Sequence, residues 1–247
     1  MKITEGGNVF QDAEPFDHKL ISGITKQVNK VLSKIGAKAL PIGSGASPKP
    51  GMTSGDLDMI VDADALANHF QTIDIKEARK KLRELFDAAG FQTGQSGVSV
   101  HVRTEVGGSA QQVDIMVVKD AKRAAGFHTH SIPDGSRYKG VHKHLMLAAL
   151  AKEQNLLWSP YEGLYSRDDK GKKNKLITND IDDIAKTLLG PDAKGKDIGS
   201  VEAMLARLPK ERANAVMSKL EQDKTWQQKL KTESREIQRL RVLSGLI

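Results

Sequence analysis

The chain has 247 residues, with 38 Lys and Arg against 31 Asp and Glu, so its formal charge is +7 when histidine is neutral. With 38% hydrophobic and 28% charged residues, it has the composition of a globular protein that forms one large domain or two smaller ones. The lack of cysteine excludes disulfides, thiol nucleophiles and cysteine zinc sites, so oxygen or histidine ligands must hold any metal. Aromatic residues make up only 4%, which argues against a single-strand binder built on base stacking.

Neither a membrane span nor a secretory signal is expected. No apolar run approaches the roughly 18 residues of a transmembrane helix, and residues 1–7 lack the apolar segment of a signal peptide. We therefore expect a soluble cytoplasmic protein with no membrane partner. The surplus of positive charge favours a polyanionic partner such as a nucleotide or a nucleic acid.

The first half of the chain predicts a partly antiparallel sheet backed by helices. Apolar residues at helical spacing predict helices over 20–35 and 75–89, and a glycine follows each one. Residues 43–55 are dense in Gly, Ser and Pro and predict a long loop. The turn at 107–109 predicts a hairpin between two strands. Alternating or short apolar runs predict strands over 38–42, 56–61, 98–103 and 112–118.

The second half is more basic and more helical. Residues 119–175 contain twelve Lys or Arg against six Asp or Glu, a net charge of +6. Helical spacing is found over 145–157 and 181–189, with Asn179 or Asp180 available to cap the second helix. From residue 200 onward, sparse apolar residues among many charges predict further helices. We predict a first domain over 1–118, a smaller basic subdomain over 119–190 and a charged helical extension over 191–247.

Three aspartates and a Gly-Ser pair form the most informative pattern. Asp56 and Asp58 point to one face of a strand, about 6.6 Å apart, and like charges placed in this way repel unless a cation lies between them. Mg²⁺ accepts such carboxylate oxygens. If the strand of Asp114 is a neighbour, the three carboxylates could hold two ions about 3.5–4 Å apart. An isolated Asp-x-Asp more often only solvates an exposed sheet face, but the upstream Gly43-Ser44 and the third aspartate favour the metal site.

These motifs, in this order, resemble a known family. Gly43-Ser44, a gap of eleven residues, Asp56-Leu57-Asp58 and the distant Asp114 are similar to the signature of the DNA polymerase beta superfamily of nucleotidyltransferases. Further segments resemble the thumb side of the family X polymerases: Gly135-Ser136, the helix 145–151, Gly163-Leu164-Tyr165 and residues 178–190. The small nucleotidyltransferases encoded by tailed phages share two more elements: Gly6 to Phe10 and Ser136 to Gly140.

The resemblance implies an α/β (α+β) fold: a polymerase beta-like palm over 1–118, with a mixed or antiparallel sheet backed by helices, and a smaller helical, thumb-like subdomain over 119–190. It implies that Asp56, Asp58 and Asp114 are the catalytic residues and ligate two Mg²⁺ or Mn²⁺ ions, with Asp114 on the catalytic ion. Gly43 and Ser44 would hold the terminal phosphates of the nucleotide. The other candidate nucleotide-binding residues are Lys49, Gly135, Ser136, Arg137, Tyr138 and Lys139. Tyr138 is equally well explained as a core residue.

The implied activity is transfer of a nucleoside monophosphate from an NTP or dNTP to a hydroxyl, favouring the 3′-hydroxyl of DNA, RNA or tRNA, in the host cytoplasm if the protein is phage-encoded. The chain departs from the family X pattern after the Gly-Ser pair, where only Lys49 could replace the usual arginines, and at Ile132-Pro133, which replaces an aromatic pair. We also expect no N-terminal lyase domain, because the first predicted helix already begins near Phe16, and this argues against gap-filling repair. Two alternatives stay open: transfer to a small molecule or protein, and a noncatalytic module that binds nucleic acid or an assembly partner.

Four histidines in the basic half allow a further alternative. His128-x-His130 and His142-x-His144 have a spacing that a zinc site could use. Surface or phosphate-contacting histidines are the more ordinary interpretation.

Overall fold

The computed structural model describes residues 9–48, 51–129, 132–133, 136–228 and 230. The chain divides into two compact units, Met1–Thr129 and His130–Ile247. The helix Ala121–His128 belongs to the first unit, and the division into functional domains at 118 and 190 stays a prediction. None of the helices in the described part of the chain has the length and apolar character to cross a membrane.

The first unit has a mixed sheet and several helices. Its helices are α1 (Ile21–Leu32), α2 (Ala63–Phe70), α3 (Ile75–Ala88) and α4 (Ala121–His128). Its strands are β1 (Phe16–Asp17), β2 (Ala39–Pro41), β3 (Thr53–Ser54), β4 (Asp56–Asp62), β5 (Thr93–Ser96), β6 (Ser99–Val106) and β7 (Ser109–Val118). The predicted helices and the predicted β6–β7 hairpin are confirmed, whereas α2, β5 and the short β1–β3 pair were not predicted.

Five strands form one sheet in the order β2-β4-β7-β6-β5. The central pair, β4 and β7, is parallel, and the other neighbours are antiparallel. The expected partly antiparallel sheet is therefore present. A parallel pair needs a long crossover, and here α2, α3 and the β5–β6 strands supply it. This crossover brings two distant segments of the chain side by side at the centre of the sheet.

One face of this sheet forms the core with α1 and α3. Leu57 and Met59 of β4 and Ile115 of β7 are at most 1% exposed, and they belong to one apolar cluster with residues of both helices, including Val28 and Phe86. Fully burying each such side chain contributes about 1.5–3 kcal/mol. Since neighbouring residues of a strand face opposite ways, burial of this set leaves Asp56 and Asp58 on the other face.

The second half of β4 is buried on both faces. Ile60 has the parity of Asp56 and Asp58 but is fully buried. The reason is α4, which packs against β4 and β2 and whose first residue, Ala121, donates its N–H to Asp62 Oδ2 at 3.2 Å. The exposed part of this face is therefore confined to the start of β4, where the two aspartates lie.

The second unit combines helices with a three-stranded antiparallel sheet in which the strands follow one another in chain order. Its elements are α5 (Gly140–Glu153), β8 (Leu156–Ser159), β9 (Gly163–Arg167), β10 (Lys173–Thr178), α6 (Ile181–Leu189), α7 (Val201–Arg207) and α8 (Lys210–Glu221). The helical subdomain predicted from the sequence did not include these strands. The predicted N-cap is confirmed, because Asp180 accepts the N–H groups of Asp182 and Asp183. The helix predicted over 145–157 is wrong at its end, since Leu156 and Leu157 lie in β8. Asn155, with φ +56°, ends the helical run in the left-handed region.

Candidate active site

The parallel pairing of β4 and β7 brings the three predicted aspartates together. Asp58 is the register partner of Asp114, and Asp56 is the partner of Gln112. Because adjacent strands lie about 4.8 Å apart, the three carboxylates start from neighbouring backbone positions on one sheet face. Asp56 and Asp58 are exposed, and Asp114 is half-buried. The strand adjacency on which the metal hypothesis depends is thus present.

These carboxylates are not preassembled into a metal-binding group. Among the described residues, no cluster of three or more His, Asp or Glu side chains is arranged to hold a metal ion. The donor set nevertheless fits Mg²⁺ or Mn²⁺ in type, since it consists of carboxylate oxygens. Exposed side chains change rotamer within picoseconds to nanoseconds, so Asp56 and Asp58 need no backbone movement to reorient.

Asp114 is held by two side-chain donors that the sequence pattern did not reveal. Gln112 Nε2 donates to Asp114 Oδ1 at 2.9 Å, and His101 Nδ1 lies 2.7 Å from the same oxygen. The amide of Gln112 is oriented in turn, because the N–H of Val9 donates to Gln112 Oε1 at 2.6 Å. In the described part of the chain both hydrogen bonds of Asp114 go to Oδ1, which leaves Oδ2 as the oxygen available for a ligand.

His101 could have been found from the hairpin alone. The two-residue turn at Gly107-Gly108 pairs Val106 with Ser109, and this register places His101 opposite Asp114. Directly opposed residues on one face of an antiparallel pair are in reach of each other. The missed signal was therefore the pairing of β6 with β7 and not a sequence motif.

The Gly43-Ser44 turn is fixed beside the first aspartates. Ile42 donates its N–H to the carbonyl of Asp58 at 3.0 Å, and Gly43 turns the chain with φ +57°, which favours glycine. A 3₁₀ turn, Gly43–Ala46, follows. Gly45 is needed for the close approach to β4, since a Cβ atom there would lie 2.4 Å from Leu57 Cδ1.

Ser44 is connected to a buried histidine. Its Oγ lies 3.0 Å from Ser54 Oγ, and Ser54 Oγ lies 2.9 Å from His18 Nε2. His18 is only 4% exposed. The antiparallel pairing of β1 with β3 brings these residues together, and neither Ser54 nor His18 was singled out in the sequence. The exposed Ser44 hydroxyl therefore has a positioned neighbour on the protein side.

The remaining nucleotide-binding candidates lie in the second unit or outside the described residues. Lys49 and Gly135 are outside them. Ser136 donates its hydroxyl to Glu202 and accepts the N–H of Tyr138 at 2.9 Å. Tyr138 is 7% exposed, and its ring centroid lies 5.4 Å from that of Trp226, as expected for a core residue. Arg137 and Lys139 are exposed, and Arg137 Nη2 donates to the Tyr138 hydroxyl at 2.6 Å and lies 3.9 Å from Glu221 Oε1.

His142 and His144 make structural contacts on α5. His142 is fully buried against Trp226, with ring centroids 4.9 Å apart, and its Nδ1 accepts the N–H of Lys139 at 2.9 Å. His144 stacks on Trp158. His130 is outside the described residues, and the described ones include no metal-holding cluster. These contacts fit helix capping and packing.

Lys143 is a buried lysine on α5. It is 2% exposed, so it does not present its charge at the surface as a phosphate contact would. Burial lowers the pKa of its ammonium group to about 8, because a poorly solvated site disfavours the charged form.

A surface groove in the first unit does not coincide with the acidic face. Its volume is about 510 Å³, and its lining includes Lys30, Lys34, Phe91, Arg103 and Glu105. None of the three aspartates lines it. The candidate site is therefore assigned from the chemistry of its side chains and not from cavity size.

No family model matches the chain, and no curated protein matches it either. Among solved structures, the polymerase beta of Leishmania infantum, in a ternary P/T complex, aligns with 75% of this chain and 77% of its own. The TM-score is 0.48 and the sequence identity is 14%. The polymerase beta resemblance therefore continues to depend on the motifs quoted above.

Proposed function

We propose that this protein is a metal-dependent nucleotidyltransferase that transfers a nucleoside monophosphate from an NTP or dNTP to a hydroxyl. The observation that carries the proposal is the register of Asp58 with Asp114, which puts both on one face with Asp56. The Gly43-Ser44 turn is bonded to the same strand through Ile42. This combination of carboxylates and a hydroxyl-bearing turn suits the handling of a metal-bound triphosphate.

Asp56 and Asp58 would hold two Mg²⁺ or Mn²⁺ ions, and Asp114 would join them on the catalytic ion. When bound, such ions lower the pKa of an attacking hydroxyl and stabilise charge on the transferring phosphate. We assign the uptake of that hydroxyl's proton to Asp114, and Oδ2 is the candidate oxygen because Oδ1 already accepts two hydrogen bonds.

The Gly43-Ser44 turn would bind the terminal phosphates. The Ser44 hydroxyl is exposed, and both it and the backbone N–H groups of the turn can donate to phosphate oxygens, as in other anion-binding turns. Lys49, Arg137 and Lys139 are the proposed cationic contacts to the nucleotide. We also propose Gly135, Ser136 and Tyr138 as nucleotide-binding residues because of the Gly-Ser motif. Ser136 and Tyr138 form hydrogen bonds within the second unit.

The proposed acceptor is the 3′-hydroxyl of a nucleic acid. Residues 119–175 hold a net charge of +6 out of the total of +7, and phosphate backbones bind through such cationic segments. A small molecule or a protein side chain is the alternative acceptor, and a noncatalytic binding module is the alternative function.

An assay with each labelled NTP and dNTP tests the proposal. Wild type and the Asp56→Asn/Asp58→Asn variant are incubated with Mg²⁺ or Mn²⁺ and a DNA primer, tRNA or no acceptor. We expect metal-dependent product and pyrophosphate from wild type and a loss of at least about 10³-fold in the variant, or about 4 kcal/mol in the barrier. Asp64→Asn is the matched control, because Asp64 is an exposed aspartate on α2 of the same unit.

The reactions with and without a nucleic-acid acceptor distinguish the alternative functions. Product formed without nucleic acid would identify a small-molecule or protein acceptor. If wild type releases no pyrophosphate under any condition, the nucleotidyltransferase proposal is wrong and the noncatalytic binding module replaces it.

A further inference from the structure

Ser96, His101 and Asp114 are joined by two consecutive side-chain contacts. Ser96 Oγ lies 2.7 Å from His101 Nε2, and His101 Nδ1 lies 2.7 Å from Asp114 Oδ1. The side chain of His101 is only 6% exposed, and that of Asp114 is 16% exposed. A carboxylate that only interacts with solvent at the surface does not need two short contacts through a buried imidazole.

The direction of these hydrogen bonds follows from donor chemistry. An ionised carboxylate only accepts, so Nδ1 of His101 carries a hydrogen and donates it to Asp114 Oδ1. The Ser96 hydroxyl can rotate and donate to Nε2, which fixes that tautomer and the ring orientation. With Gln112 as the second donor, Oδ1 is occupied and the carboxylate plane of Asp114 is fixed.

The same three residue types in the same order also form the triad of serine hydrolases, in which histidine activates the serine. That activity needs donors for an oxyanion beside the serine. Ser96 is exposed at the end of β5, beside the two-residue turn to β6. An exposed serine and an enclosed aspartate occur in both arrangements, so the surroundings of the aspartate distinguish them. Asp114 accepts a second hydrogen bond from Gln112 and is the register partner of Asp58 on the acidic face. The contacts therefore serve the aspartate rather than the serine.

We propose that His101, supported by Ser96, is a positioning residue that holds Asp114 so that its Oδ2 enters the metal site. This inference rests on the proposed function, because it assigns a role toward the metal that Asp114 would ligate. Hydrogen-bond partners of ligating carboxylates contribute 10–100-fold to metal affinity or activity in known metal sites. The strand register sets the backbone position of Asp114. The hydrogen bond from His101 to Oδ1 then leaves Oδ2 as the oxygen for the metal site.

The test measures Mn²⁺ affinity directly by electron paramagnetic resonance, together with kcat and KM. His101→Leu removes the donor at similar volume, and we expect it to raise the Mn²⁺ dissociation constant roughly 10–100-fold. His101→Asn keeps a donor, because its Nδ2 can take the position of the histidine Nδ1, and it should recover most of the affinity. Ser96→Ala should give a smaller loss, since it frees only the far side of the ring.

Thr104→Val is the matched control. Thr104 lies on β6 with His101, is 1% exposed, and donates to the Gln111 carbonyl at 3.4 Å. Removing its hydroxyl perturbs the same strand without touching Asp114. A merely structural role for His101 would make the two variants equal in Mn²⁺ affinity once both are shown to be folded by thermal unfolding.

Each failure has a distinct signature. If wild type binds Mn²⁺ and His101→Leu binds it equally well, the positioning role is wrong and the proposed function stands. If wild type binds no Mn²⁺, the positioning role and the metal-dependent function both fail. Covalent labelling of Ser96 by a fluorophosphonate probe would show an activated serine and overturn the positioning role in favour of acyl transfer.

Discussion

The three aspartates of the candidate site differ in their surroundings. Asp56 and Asp58 are exposed, so their loss removes charge from the surface. Asp114 accepts hydrogen bonds from a buried imidazole and from Gln112, which is 3% exposed. A buried donor that loses its acceptor keeps the cost of its desolvation. Loss of the carboxylate therefore affects folding differently at Asp114 than at Asp56 or Asp58, although all three lie on one face of the sheet.

We expect Asp114→Ala to lower the free energy of unfolding by about 1–3 kcal/mol, because it leaves two buried donors without their acceptor. Asp58→Ala should change it by no more than about 0.5 kcal/mol, as is usual at exposed positions. Urea unfolding of both variants at neutral pH measures the difference. Equal stability of the two variants would mean that the hydrogen bonds of Asp114 contribute nothing net to folding.

At the scale of elements, the central strands and the hairpin were predictable, and the reason is periodicity. Polar and apolar residues alternate over 56–59 of β4 and 112–115 of β7, and the glycine turn marks the β6–β7 hairpin. The parity of Asp114 could be read from the sequence, but its pairing with Asp58 depends on a crossover that no local pattern specifies.

The missed elements are those whose local sequence lacks a distinctive period. Helix α2 is only eight residues long, and β10 is exposed along most of its length, so neither has a clear apolar stripe. Leu156 and Leu157 continued the apolar pattern of α5, but the left-handed Asn155 interrupts the helix. The contacts of His101 with Asp114 and of His18 with Ser54 were not predicted either, because they arise from strand pairing.

Lys143 makes the stability of the second unit depend on pH. Its folded-state pKa is about 8, against an ordinary value of 10.5. Between these values the unfolded chain binds more protons than the folded one, so the free energy of unfolding rises as the pH rises from 8 toward 10.5. From pH 7 to 10 we expect this lysine to contribute an increase of about 2.5 kcal/mol, because each pKa unit corresponds to roughly 1.4 kcal/mol and this range covers most of the difference between the two pKa values.

The measurement is urea unfolding at pH 7, 8.5 and 10 for wild type and Lys143→Met. Methionine keeps the unbranched apolar chain and has no proton to lose, so the difference between the two proteins isolates Lys143 from other groups that titrate in this range. A difference that stays constant with pH would show that the pKa of Lys143 is not lowered by folding.

At the scale of the whole molecule, charge is distributed unevenly along the chain. Nearly the whole surplus of positive charge lies within residues 119–175, while the exposed Asp56 and Asp58 lie in the first unit. Within the turn that joins β9 and β10, Lys170 and Lys172 are exposed, as is Lys175 on β10. Lys173 differs, because it bonds to Glu162 and its Nζ lies 4.0 Å from the ring centroid of Tyr165. The three other lysines are the better candidates for contact with a polyanion.

If a nucleic acid is the acceptor, the triple variant Lys170→Gln/Lys172→Gln/Lys175→Gln should bind single-stranded DNA more weakly. The slope of log affinity against log salt should shrink by about 0.7 for each phosphate that the variant no longer neutralises. Fluorescence anisotropy at several salt concentrations measures both quantities. Lys26→Gln/Lys30→Gln/Lys34→Gln, on α1 and just after it, is the control, because it removes the same charge from exposed positions of the first unit. Equal slopes in the two triple variants would exclude a specific role of the β9–β10 lysines.

The parallel pairing of β4 with β7 also has a consequence for folding. Asp58 and Asp114 are register partners although they are 56 residues apart in the sequence. Closing a long loop costs entropy that only later contacts repay, and such non-local pairs form slowly. During synthesis, Asp56 and Asp58 leave the ribosome well before their partner strand exists. The acidic face can therefore form only after β7 has been synthesised.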